Sequence, residues 1–271
     1  LSDSHTDYLV TRRTLMLLAI DIGNTNTVLG VFDQTRLIGH IRVTTRDRLT
    51  IDEGCFLLTT ALREMEVKSN DVASVVLGSV VPPLTGIFEM AAEKLFGCEA
   101  IVVSHRVRLP IAIEIDQPGQ LGADRIANAV AGYDKFDTPV IIVDFGTATT
   151  FDVVNEKGAY IGGVIIPGPE TSMAELSKRA ARLFEVRIEP PDSVVGKSTA
   201  AALKSGLFYG TVGQVDYIID KILDETGFRK CIIVATGGFA LRIEQFSRHV
   251  KMVEPTLTLE GLRLIGEMNK S

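Results

Sequence analysis

The feature that most constrains this chain is a repeat. Residues 21–27 read DIGNTNT at the end of a short apolar strand, and residues 144–150 read DFGTATT in the same setting. Asp21, Gly23, Thr27 and Val31 map onto Asp144, Gly146, Thr150 and Val154 at one constant offset, which marks duplication of a whole supersecondary unit. Around each copy the pattern predicts a three-stranded meander, with strands near 15–22, 27–33 and 37–43 and again over 139–165. Between the copies it predicts a helix over 52–66, an apolar run over 72–81, a helix over 84–96, a strand over 100–103, an extended stretch over 109–115 and a helix from Arg125 onward. After the second copy come expected helices at 170–184 and 199–225, a strand at 231–238 and a closing helix near 258–269. Such alternation predicts an α/β protein whose sheets contain parallel pairs covered by helices.

A chain of 271 residues has room for two cores. The repeat divides it into a leader or remnant at 1–15, a first domain at 16–130 and a second at 131–271, with the last helix free to pack back on the first. Apolar residues make up 46% and charged residues 23%, the balance of a well-buried protein. The apolar stretches at 15–20 and 231–235 fall short of the roughly 20 residues that a bilayer crossing needs, so no membrane partner is expected. A net charge of −6 without any Lys/Arg run gives no face for nucleic acid. Cys55, Cys98 and Cys231, and His5, His40, His105 and His249, are too scattered for a disulfide framework or a zinc site. A reducing, cytoplasmic setting follows.

Each DxG turn can be read chemically. A carboxylate at the end of a buried strand is costly unless a cation faces it. The glycine lets the backbone approach an anion, and flanking Asn and Thr side chains add donors. One copy alone also reads as an ordinary hairpin turn; two copies facing each other can hold a polyphosphate with its metal. Gly122, Ala123, Asp124 and Arg125 form GADR at a helix start, where Asp124 either caps the helix or accepts the proton of an attacking hydroxyl while Arg125 grips an anion. Ser198 and Thr199 open a helix and form a small anion site or a plain cap. GKST at 196–199 is not a phosphate loop, because the required first glycine is Pro191. Thr236, Gly237 and Gly238 leave backbone open beside a flat ring, or simply turn the chain.

Taken together, DIGNTNT, GADR, DFGTATT, GGVIIPG at 162–168 and TGG at 236–238, in this order, resemble type III pantothenate kinase from about Met16 to 265. The double turn alone resembles the wider actin-like, sugar-kinase and heat-shock ATPase superfamily, whereas GADR between the halves is more specific. The resemblance implies two duplicated ribonuclease-H-like domains with ATP in the cleft between them. It implies ATP-dependent phosphorylation of pantothenate, the first step toward coenzyme A. ATP phosphates would meet Asp21, Ile22, Gly23, Asn24, Thr25, Asn26, Thr27 and Val28 in the first turn and Gly146 and Thr147 in the second, with Gly237 and Gly238 near the nucleotide. Asp124 would be the general base, and Gly122–Arg125 and Thr199 would contact pantothenate. Asp144 would hold a monovalent cation, potassium or ammonium, and Asp21 a magnesium ion through water. The family is similar in forming a homodimer. One departure is Ile115, which stands where many relatives carry a tyrosine lining the substrate pocket. The rival expectation is an actin-like nucleotide-binding regulatory or assembly protein that phosphorylates no small molecule.

Overall fold

A computed structural model describes residues 15–180 and 183–270. The expected leader lies outside the described residues apart from Leu15, which is exposed. The first sheet contains β1 (Met16–Ile22), β2 (Asn26–Asp33), β3 (Arg36–Thr44), β4 (Val72–Ser79) and β5 (Ala100–Val102), in the order β3-β2-β1-β4-β5. Its first three strands form the antiparallel meander, and β4 and β5 join in parallel. The second sheet contains β6 (Ala112–Ile113), β7 (Val140–Phe145), β8 (Ala148–Val154), β9 (Ala159–Pro167) and β10 (Ile232–Gly237), in the order β10-β7-β8-β9-β6. Here β7, β8 and β9 make the meander and β10 joins β7 in parallel. The repeat is thus a repeat of four strands, β3-β2-β1-β4 matching β9-β8-β7-β10. The fifth strand is added at opposite edges, β5 beyond β4 and β6 beyond β9.

Both faces of each sheet are apolar, so both must be covered. In β1, Leu18, Ile20 and Ile22 face a core closed by α1 (Ile51–Glu64) and α2 (Pro82–Phe96), through Leu58, Leu62, Leu84 and Phe88. Thr50 starts α1 with a reciprocal capping box to Glu53, and the prolines after Val81 open α2 at its first turn. Leu17 and Ala19 face the other way, into a core shared with Val140 and Ile142 of β7. That middle layer is filled by α3 (Ala123–Phe136) and α7 (Leu257–Asn269). A third core lies beyond the second sheet, where Ile141, Val143 and Phe145 meet Phe208, Val215 and Ile219 of α5 (Thr199–Thr226) and Ala240 and Ile243 of the short α6 (Ala240–Ile243).

The last helix therefore lies back against β1 and β4 of the first sheet and against α3. Leu257, Leu259, Leu262 and Ile265 are all buried there, each contributing about 1.5–3 kcal/mol as an upper bound. These two sheets with their helix layers are the duplicated ribonuclease-H-like arrangement that the resemblance implies.

One local expectation is corrected. The helix expected over 170–184 is α4 (Pro169–Arg179) and ends at Ala180, which is extended at φ −107° and ψ 104°. Lys178 and Arg179 sit where a helix C-terminus favours positive charge, and FEVRIEPP, from 184 on, carries no apolar stripe at helical spacing. The extended stretch at 109–115 contributes only the two residues of β6 to a ladder.

Candidate active site

Two hairpin turns, one from each sheet, come together at the site. Asp21 sits one residue before the end of β1, paired with Val28 on β2 and Gly78 on β4. Asp144 occupies the equivalent place on β7, paired with Thr150 on β8 and Thr236 on β10. The Thr25 and Thr147 hydroxyls at the two turn tips lie 2.7 Å apart in a hydrogen bond. The duplicated turns thus touch across 122 residues of sequence. The N–H groups of Gly23 and Gly146 are spent within the turns, on the Asn26 and Ala148 carbonyls at 3.0 Å each. Asn24, Thr25 and Thr147 remain exposed at the tips, where an anion can reach their side chains.

Each turn has a brace that sequence reading did not find. Thr45 donates its N–H to the Thr25 carbonyl at 2.9 Å and its hydroxyl to the Gly23 carbonyl at 2.7 Å, and it bonds the Thr27 hydroxyl at 2.9 Å. In the second half, Gly168 N–H and the Thr171 hydroxyl both donate to the Thr147 carbonyl, at 3.0 and 2.6 Å. The loop at Gly237 is backbone-determined. Its φ of +87° belongs to glycine, and a Cβ there would lie 2.5 Å from the Phe145 carbonyl oxygen and 2.7 Å from an Asp144 carboxylate oxygen. Gly238 N–H then closes on the Phe145 carbonyl at 3.1 Å, which keeps the TGG turn against Asp144.

Asp21, Asp124 and Asp144 lie close enough to repel one another. Burial lifts the Asp21 carboxyl to about 8, the charges of Asp124 and Asp144 push the same way, and Arg42 opposes them. Burial lifts Asp144 to about 6, against a hydrogen bond from the Asn128 amide; Asp124 and Asp152 add to the rise and Arg42 again opposes it. Asp124 is raised as well, chiefly by burial, while its bond to the Arg125 N–H works downward. A cluster of acids held in this state is poised for cations. Its donors are hard carboxylate and hydroxyl oxygens, which suit magnesium or potassium. Among the described residues no three His, Cys, Asp or Glu side chains converge on one metal position. A cation here would take its remaining oxygens from water, backbone or substrate phosphate.

The GADR segment opens α3, with Gly122 as its N-cap. Asp124 accepts the N–H of Arg125 at 2.8 Å, so its carboxylate also meets the positive end of the helix. The Arg125 side chain is not a free surface cation. Its Nε donates to Asp152 Oδ1 at 2.7 Å, and the two side chains are 15% and 0% exposed. Asp152 also accepts from the Tyr160 hydroxyl at 2.9 Å and the Thr150 hydroxyl at 3.3 Å. Arg125 Nη2 is buried without a hydrogen-bond partner among the described residues, which leaves a donor available to a bound group.

Two other expected contacts, Thr199 and Ile115, take no part in the hydrogen bonds described above. Thr199 is the first residue of α5, exposed, with Ser198 capping the helix by accepting the Ala201 N–H at 3.2 Å. Among the described residues no hydrogen bond joins Thr199 to the carboxylates. Ile115 is half-buried and packs against the middle core. Asp152, Asn128, Arg42 and Thr45 are the residues that sequence reading missed. Asp152 stands two residues after Thr150, the end of the second repeat phrase, and its adjacency to that phrase was the one available signal.

Among the described residues no helix is long and apolar enough to cross a membrane. Residues 17–221 match the family model for type III pantothenate kinase. A type III pantothenate kinase from Finegoldia magna is 42% identical over 258 residues, covering 94% of this chain and 98% of the relative. One from Geobacter sulfurreducens is 44% identical over 255 residues, covering 94% and 100%. Solved structures share the fold at low identity. A structure described as a conserved Baf family transcriptional activator from Campylobacter jejuni matches at TM-score 0.57 and 21% identity, over 93% of this chain and 98% of that one. The ethanolamine utilization protein EutJ from Carboxydothermus hydrogenoformans matches at TM-score 0.53 and 13% identity, over 93% and 90%. With a family model matched over most of its length and such relatives along nearly all of it, the chain belongs to the type III pantothenate kinase family.

Proposed function

We propose that this protein transfers the terminal phosphoryl group of ATP to the hydroxyl of pantothenate, giving 4'-phosphopantothenate at the first step toward coenzyme A. The observation that carries this reading is the meeting of the duplicated turns at Thr25 and Thr147 beside the half-buried carboxylates of Asp21, Asp124 and Asp144. Phosphoryl transfer asks for positioning and charge stabilisation more than covalent work. Residues Asp21–Val28, with Gly146 and Thr147, hold the phosphates. Gly237 and Gly238 border the nucleotide. Asp124 orients the pantothenate hydroxyl and takes its proton; a carboxyl raised by burial is a stronger base than an exposed one. Gly122, Ala123 and Arg125 bind the acceptor, with Arg125 Nη2 as a ready donor, and Thr199 and Ile115 border the same substrate.

Asp144 holds a monovalent cation, potassium or ammonium, and Asp21 a magnesium ion through water; the acid-rich, oxygen-only donor set supports both. When bound, these cations offset negative charge on the phosphates. The two domains are residues 16–130 and 131–271, with α7 returning to the first. The active protein is cytoplasmic, the setting its three scattered cysteines suit, and a homodimer, as the family resemblance implies. An actin-like regulatory role without kinase activity is not favoured, because the matches along the chain are to pantothenate kinases.

The test is a coupled ADP-release assay with pantothenate as acceptor, in potassium and in sodium, with Asp124→Asn alongside. Turnover that requires pantothenate, potassium and Asp124 is the expected result. ADP release indifferent to pantothenate would move the protein to the regulatory reading.

A further inference from the structure

We infer that Asn128 and Thr258 form a positioning relay that fixes the Asp144 carboxylate for its cation, an inference that rests on the reading of Asp144 as the monovalent-cation ligand. Asn128 is fully buried on α3 among alanines and valines. A buried primary amide is costly unless both its ends are bonded. Both are. Nδ2 donates to Asp144 Oδ2 at 2.8 Å, and Oδ1 accepts the Thr258 hydroxyl at 2.8 Å. A carboxylate can only accept from the NH₂ end, and the hydroxyl, in donating, takes the carbonyl end, so the two bonds together set which way the amide faces.

The relay engages one carboxylate oxygen and leaves the other on the Gly237 side, where Oδ1 lies 2.7 Å from the position a Cβ would take. Its donor is neutral. An arginine or lysine in this place would pair with Asp144 and compete with a cation, whereas an amide orients the charge without cancelling it. Thr258 is held in reach by backbone contact between the helices: a Cβ at Gly261, one turn further along α7, would lie 1.9 Å from the Ala127 carbonyl oxygen. Thus α7, packed on the first sheet, steadies the cation ligand of the second across 130 residues of sequence.

The experiment titrates potassium against wild type, Asn128→Ala, Thr258→Val, Thr258→Ser and Asp144→Asn. It has two readouts: ADP release, and the potassium-dependent rise in melting temperature with ATP bound. Outer-shell partners of metal ligands typically contribute ~10–100-fold to affinity, so Asn128→Ala is expected to need that much more potassium in both. Thr258→Val should need several-fold more, and Thr258→Ser should titrate like wild type, all with KM for pantothenate little changed. If Asp144→Asn abolishes the response while Asn128→Ala and Thr258→Val titrate within twofold of wild type, the relay is refuted and the cation site stands. Lowered melting without a shifted potassium midpoint makes both residues packing groups and also refutes it. A wild type without any potassium response overturns the reading of Asp144 and the relay with it. Should Asn128→Ala fail to fold, the Thr258→Val and Thr258→Ser pair decides alone.

Discussion

Asp21→Asn should flatten the pH dependence of stability in the ligand-free protein between pH 6.5 and 8.0. Burial disfavours the charge of Asp21 and pushes its carboxyl up to about 8 in the folded protein, against the ordinary 3.8 of an aspartate in the unfolded chain. The folded state therefore holds this proton more tightly. Its contribution to stability is complete below the unfolded pKa and is lost as pH rises through the folded one. Across the whole window the loss approaches 1.4 kcal/mol per pH unit, and between pH 6.5 and 8.0 it amounts to about 1.6 kcal/mol. Asp21 keeps some exposed surface, so screening by solvent trims the expected value to about 1 kcal/mol. Asp144 and Asp152 both titrate at about 6 and have lost nearly all of their contribution by pH 6.5; Asp124, also raised, is present in wild type and variant alike, so the difference between the two proteins reads Asp21. The assay is urea unfolding at constant ionic strength with chelator present. Wild type should lose about 1 kcal/mol more than Asp21→Asn over the interval, and the variant should be the more stable of the two at pH 8 while lacking activity. Parallel pH profiles would mean that Asp21 is not desolvated and repelled as described.

Asp124→Asn should lower turnover roughly a hundredfold or more, the range for a general base, while ATP affinity measured by calorimetry stays near wild type. Asp152→Ala leaves the buried Arg125 guanidinium without its partner, and urea unfolding should show a loss of about 3–5 kcal/mol. Gly237→Ala forces a side chain into positive φ and against the Phe145 carbonyl; thermal unfolding should report a loss of more than about 1 kcal/mol, with weaker nucleotide binding. Replacing potassium by sodium should reduce the pantothenate-dependent rate, and an unchanged rate would remove the cation role of Asp144.

Most of the architecture was legible because it is written in local periods. The unbroken apolar runs of β1 and β7, the small residues of the two turns and the constant offset between them are properties of neighbouring positions. They suffice to announce strands, hairpins and duplication. The site's acids were legible for a related reason: Asp21, Asp124 and Asp144 each stand within two residues of a glycine in a short phrase, DIGNTNT, GADR and DFGTATT. The premature end of α4 and the shortness of β6 were not legible, because the first depends on where the chain finds a surface to pack on and the second on a partner strand, β9, that lies far along the sequence.

What the sequence by itself determined, then, is that two similar halves each carry an acid at the end of a buried strand, just before a glycine-containing turn. Tertiary structure alone decided what surrounds those acids. Thr25 meets Thr147, Arg125 meets Asp152, and Thr258 meets Asn128, which in turn holds Asp144. The Thr25–Thr147 bond sits at exposed turn tips and depends on the two sheets facing each other, whereas the Arg125 and Asn128 bonds acquire their strength from burial that exists only once the helix layer of α3 and α7 has closed between the two sheets.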